Sequence, residues 1–143
     1  MPNRIVTSTN IVKSLIFIFI IMFFLDIIVL TLLKPLWQSA VFKIQKKPLN
    51  INYTYGFIAY IFLVLGLYYN VYRYINKSNW KMNTLMYGFM YGFFVYGTFD
   101  FTNLALFNDY PLGLGIMDTI WGGILMALTS FFTYYLIEIK EII

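Results

Sequence analysis

The sequence predicts an all-α polytopic membrane protein: a bundle of four transmembrane helices with a short interfacial helix after the first, forming one membrane domain over residues 1–143. Three observations predict it. Hydrophobic residues make up 61% of the chain and charged residues only 11%, against about 45–50% and about 25% in soluble domains. A chain of 143 residues is too small to hide that much apolar surface from water, because small domains leave a large share of their surface exposed. The apolar residues also gather in four long runs, and the ten Lys and Arg fall almost wholly between them. The net charge of +4 therefore reads as a membrane-topology pattern, and no nucleic-acid partner is expected.

The first span covers residues 14–33, with 17 apolar residues among 20. At about 1.5 Å per residue that crosses a hydrocarbon core of about 30 Å. Arg4 and Lys13 precede it as in a signal peptide, but the run is too long, lacks a small-residue cleavage site and carries Asp26, so it is read as an uncleaved span. An Asp at mid-helix costs about 2.5–3.5 kcal/mol and each Leu, Ile or Phe returns about 0.3–0.6 kcal/mol, so the helix inserts despite it. Asp26 should face the bundle interior.

Residues 35–47 lie between Pro35 and Pro48 and carry an apolar stripe of Leu36, Trp37, Ala40, Val41 and Ile44. The spacing suits a separate interfacial helix with Lys43, Lys46 and Lys47 toward the lipid headgroups. The second span, residues 53–72, has tyrosines at both ends like an aromatic belt, Tyr60 as its interior polar group, and Arg73, Lys77 and Lys81 beyond it.

The third span, residues 85–107, is the least apolar. It holds Gly88, Gly92 and Gly97, then Asp100, Thr102 and Asn103. Gly88 and Gly92 form G-x-x-x-G, which permits close backbone approach in lipid. A turn at residues 108–113 leads to the fourth span, residues 116–137, which opens with Asp118 and carries Trp121 and Gly122. Thr119, Gly123 and Ala127 recur every four residues, a small-residue face expected to pack on the third span. By the positive-inside rule Arg4, Lys13, Arg73, Lys77, Lys81 and Lys140 outnumber Lys34, Lys43, Lys46 and Lys47 on the other side, which places both termini in the cytoplasm.

Counting helix rise from the side opposite the termini puts Asp26, Tyr60 and Asp100 each roughly 10 Å deep and Asp118 about 3 Å deep. One polar site in one leaflet is expected, built from Asp26, Tyr60, Asp100, Thr102, Asn103, Asp118 and Trp121. Like charges this close in a poorly polar site do not all ionise, so at least one carboxyl should hold a proton unless a cation sits among them. The plain alternative is interhelical polar contact worth about 0.6–2 kcal/mol each. With no Cys and no His there is no thiolate, imidazole or histidine-ligated metal; no cofactor and no catalytic residue is assigned, and a metal site is left open to oxygen-ligated Mg²⁺ or Ca²⁺.

The run Tyr96-Gly97-Thr98-Phe99-Asp100-Phe101-Thr102-Asn103-Leu104-Ala105, followed by Asp118 and Trp121-Gly122, resembles a family of small four-helix membrane proteins catalogued as domain of unknown function 2177. Asp26, Lys47-Pro48 and Tyr60 are similar but weaker matches. The family commonly has a Trp three residues after the first-helix Asp, where this chain has Val29. The resemblance implies four spans and directs attention to Asp26, Asp100, Asn103, Asp118 and Trp121, but it implies no activity. The expectation from the residues is a small proton or cation transporter or channel working as a homo-oligomer assembled through the small-residue faces. The alternatives are a lipid-binding or divalent-cation-dependent lipid-modifying protein, and a structural subunit of a membrane assembly.

Overall fold

A computed structural model describes residues 8–140 of the chain; Arg4, used in the topology argument, lies outside the described residues. Four helices follow one another: α1 (Ser8–Gln45), α2 (Tyr53–Asn70), α3 (Trp80–Leu106) and α4 (Leu112–Tyr134), with no strand among the described residues. A wider π-type turn, Tyr135–Ile139, extends α4. Large apolar side chains cover the outside, Leu32 and Phe62 each being 71% exposed. Water would penalise such a surface and lipid does not.

Three of the four helical stretches are long and apolar enough to cross a membrane: Asn10–Gln45, Tyr53–Tyr74 and Leu112–Ile139. α3 is not among them, although its 27 residues give it about 40 Å of length. The reason is its buried face, made of Thr84, Gly88, Gly92 and Asp100, which contributes little hydropathy. α3 runs antiparallel along α4, from Gly88 against Ala127 to Asp100 against Gly115, and so shares the rise of its partner.

Residues 35–47 differ from expectation. They are helical but form no separate interfacial helix: α1 continues through Pro35 for 38 residues. A proline ring removes only its own N–H from the ladder, a loss that membrane helices tolerate when neighbouring groups take up the freed carbonyl. Trp37, Ala40, Val41 and Ile44 still turn inward, Ala40 being buried, while Leu36 and the lysines are exposed. From Asp26 to the end of α1 the helix rises about 28 Å, yet Lys46 just beyond it pairs with Asp109 of the α3–α4 turn at 3.7 Å. That turn is only three residues before the start of α4, so the last third of α1 must lean across the bundle end. The pair is 74% and 62% exposed; Lys46→Ala should shift stability in detergent by less than about 1 kcal/mol, and a thermal melt checks it.

The core gathers Ile18 and Met22 of α1, Val64, Leu67 and Tyr68 of α2, and Leu125 and Met126 of α4. At the end where α2 finishes, the Trp80 ring packs on Phe131 and Tyr134, with centroids 5.0 and 5.7 Å away. This ties the start of α3 to the finish of α4. Asn52 opens α2 by accepting from the backbone N–H groups of Thr54 and Tyr55 at 3.1 and 3.3 Å, the N-cap arrangement.

Candidate functional site

The α3–α4 contact sets the frame. A Cβ built on Gly88 would lie 2.8 Å from the Ala127 Cα, and one on Gly92 would collide with the Gly122 carbonyl oxygen. Gly97 faces Thr119, Gly122 lies under the Tyr96 ring, and Gly123 under the Phe89 ring. All seven small residues singled out in the sequence thus lie between two helices of one chain. They are consumed there, which removes them as a means of joining subunits.

This close pairing brings Asp100 to α4, and α1 brings Asp26 to it separately. Asp100, 0% exposed, accepts from the Tyr110 hydroxyl at 2.7 Å and the Thr119 hydroxyl at 3.2 Å. Tyr110 lies in the turn before α4, and the Asn103 carboxamide lies beside the same phenol. Burial, together with the Asp100 carboxylate it serves, pushes the Tyr110 phenol well above its ordinary range, so it stays protonated and keeps donating. Asp26 of α1, 7% exposed, accepts from the Tyr60 hydroxyl of α2 and from the Trp121 indole N–H of α4, the latter at 2.9 Å. Both carboxyls are therefore held by neutral donors.

Asp118 stands apart chemically. It is half-buried and within electrostatic reach of both Asp100 and Asp26, yet no described side chain donates a hydrogen bond to it. The Tyr96 phenol lies within the field of all three carboxyls and of Tyr60. Thr102 does not join: it is exposed on the outer face of α3. Nor do the carboxyls form a metal cage, because among the described residues no three acidic groups converge closely enough to hold an ion.

Tyr96, Tyr110 and Thr119 belong to the site but were not chosen from sequence as ligand-contacting groups. Thr119 was legible only as a small residue on a packing face, and Tyr110 only as part of a turn. Their signal is positional: Thr119 follows Asp118 directly, and Tyr110 reaches back ten residues to Asp100 once the turn is closed.

The arrangement, four helices with polar groups concentrated at α3 and α4, agrees with the one comparison that matches. A family model described as a predicted membrane protein, DUF2177, covers residues 11–135. The chain belongs to the DUF2177 family. No curated protein and no solved structure matches the chain. The DUF2177 match takes in all four helices but for the first three residues of α1, and every residue of the acidic site, so site and fold fall inside the same family unit.

Each donor to Asp26 can be tested. Tyr60→Phe or Trp121→Phe removes one hydrogen bond to a buried carboxyl, and each should lower stability by about 1.5–3 kcal/mol, read as a lower midpoint in detergent unfolding. Thr102→Val, on the outer face, should leave the midpoint within about 0.5 kcal/mol.

Proposed function

We propose that this membrane protein moves protons, or exchanges a small cation for them, with Asp118 as the group that takes up and releases the charge. The observation that carries the reading is the inequality of the three carboxyls: Asp26 and Asp100 each have two neutral donors, whereas Asp118 beside them accepts from no described side chain. Fixed neighbours and one free acid are the parts that a carboxyl-based relay needs, and acidic groups kept within membrane segments commonly mark proton or ion pathways.

A second polar level supports it. Thr129, Ser130 and Thr133 of α4 are fully buried, and their hydroxyls have no hydrogen-bond partner among the described residues. They lie about 15 Å or more along the helix from Asp118, toward the other membrane face. Met22, Leu125 and Met126, all 0% exposed, stand between the two polar levels as an apolar septum. A passage would have to open there, so a carrier or gated route fits better than a standing pore.

In this reading α3 crosses the membrane with the other three helices, both termini lie in the cytoplasm, and the aspartates face the opposite side. Apolar faces of α1 and α2 are left open for a second copy. The divalent-cation alternative is less favoured, since each oxygen of Asp26 and Asp100 already accepts from one O–H or N–H donor and no three acidic groups converge among the described residues. The test is purified protein in liposomes containing a pH dye, under imposed proton, Na⁺ and K⁺ gradients. Flux above that of protein-free liposomes is expected; none under any gradient overturns the proposal.

A further inference from the structure

The end of the bundle opposite the aspartates holds a cleft that the transport reading does not use. It encloses about 480 Å³ and is lined chiefly by Asn70, Tyr74, Asn76, Asn83, Tyr87 and Tyr91, within the range of about 300–1,000 Å³ common to ligand pockets. Asn70 closes α2 and Asn83 sits in the first turn of α3, so the cleft lies at helix ends, where lipid headgroups are. Asn83, Tyr87 and Tyr91 follow one another at intervals of four and form one stripe on α3. The Tyr91 hydroxyl closes the inner end against Gly66 of α2. Tyr74 and Tyr87, 67% and 50% exposed, leave the mouth open.

The segment that lines this cleft carries charge of one sign, Glu138 at the end of α4 being the acidic group described at this bundle end. No Asp or Glu occurs between residues 61 and 99, while Arg73, Lys77 and Lys81 are exposed there. The Arg73 guanidinium lies over the Tyr69 and Tyr74 rings, 5.7 and 4.9 Å from their centroids, which holds a cation at the rim. Inside, three carboxamides and three phenols offer donors and acceptors without net charge. One Asn70 N–H is already given to the Gly66 carbonyl, and the Asn76 carbonyl accepts from Ser78 and Asn79, so the remaining Asn70 and Asn76 N–H groups and the Asn83 carboxamide are what face a ligand. Neutral two-way groups suit hydroxyls, and a guanidinium suits phosphate.

We infer that this cleft binds the headgroup of an anionic phospholipid whose polar end carries hydroxyls, with its phosphate at Arg73 and its hydroxyls among Asn70, Asn76 and Asn83. The lipid source follows from the position of the mouth, at the bundle end and open beside exposed apolar helix surface. Binding here is independent of charge movement at Asp118.

Native mass spectrometry of the full chain in detergent, supplied with phosphatidylglycerol, phosphatidylcholine or inorganic phosphate, tests it. One phosphatidylglycerol per chain should be retained, with about a tenfold preference over phosphatidylcholine, the worth of one or two lost polar contacts. Arg73→Gln should erase that preference and Asn83→Leu should lower phosphatidylglycerol retention about tenfold. Lys47→Gln, at the other bundle end, should change neither. Tyr87→Phe removes only a hydroxyl and serves if Asn83→Leu melts early; it too should weaken retention. Equal retention of both lipids, or a preference that survives Arg73→Gln and Tyr87→Phe in protein of native melting temperature, overturns the inference. Displacement of the lipid by equimolar inorganic phosphate also overturns it, by making free phosphate the ligand.

Discussion

Asp118→Asn is expected to lower proton flux in liposomes by roughly 100-fold, the lower range for removing a group that transfers a proton, while leaving the melting temperature almost unchanged. The two parts of this result have different causes. Asn cannot ionise, so a relay through this position stops. Stability survives because no described side chain donates to Asp118, and a neutral amide relieves its repulsion with Asp100 and Asp26. Asp26→Asn should behave in the opposite way. It replaces one of the two oxygens that accept from the Tyr60 hydroxyl and the Trp121 N–H by an amide nitrogen that cannot accept, so it should cost about 1–3 kcal/mol of stability and slow flux less than Asp118→Asn does. Native flux from equally folded Asp118→Asn would exclude it as the exchanging group; if Asp100→Asn alone stopped flux, the relay would have to run through the buried carboxyl instead.

The second large effect concerns packing. Gly92→Ala should destabilise the fold by about 2–3 kcal/mol, near the upper range for inserting a methyl into a tight contact, and Gly92→Leu should yield no folded protein. The obstacle is the Gly122 carbonyl oxygen, a backbone atom that no rotamer change can move, with the Met126 side chain close behind at 2.7 Å from the new Cβ. Gly56→Ala is the control. A Cβ there meets nothing within 4 Å, so the helix propensity of Ala should leave stability unchanged or raise it by up to about 1 kcal/mol. Equal midpoints for Gly92→Ala and Gly56→Ala, measured in the same detergent, would contradict the α3–α4 contact described above. Because Asp100 and Thr119 face each other across that contact, a parted α3–α4 pair should also lose flux.

The helices were legible because lipid imposes a length and an apolarity that can be counted along the chain. Pro35 is where that reading went astray: proline usually ends a helix in water, but here α1 runs on for another ten residues. The inward turn of Trp37, Ala40, Val41 and Ile44 was nevertheless present in their spacing, since a stripe is visible whether its helix is separate or continuous. α3 shows the converse. Its glycines and polar residues lower its hydropathy, and they do so because that face meets α4 rather than lipid.

Composition by itself determined that this chain needs a membrane, that histidine and cysteine chemistry is absent, and that carboxyls lie within apolar segments. Helical periodicity determined which residues share a face of one helix. It does not determine which faces meet. Only the tertiary structure decided that Trp121 serves Asp26 of another helix, that Tyr110 and Thr119 hold Asp100, that Thr102 points outward and that Asp118 has no donor among the described side chains. The physical reason is that a hydrogen bond between helices depends on their rotation and relative height to within about an ångström, the tolerance of donor–acceptor distances. Those quantities are set jointly by every packed residue, from Gly92 on Gly122 to Trp80 on Phe131, and no single stretch of sequence contains them.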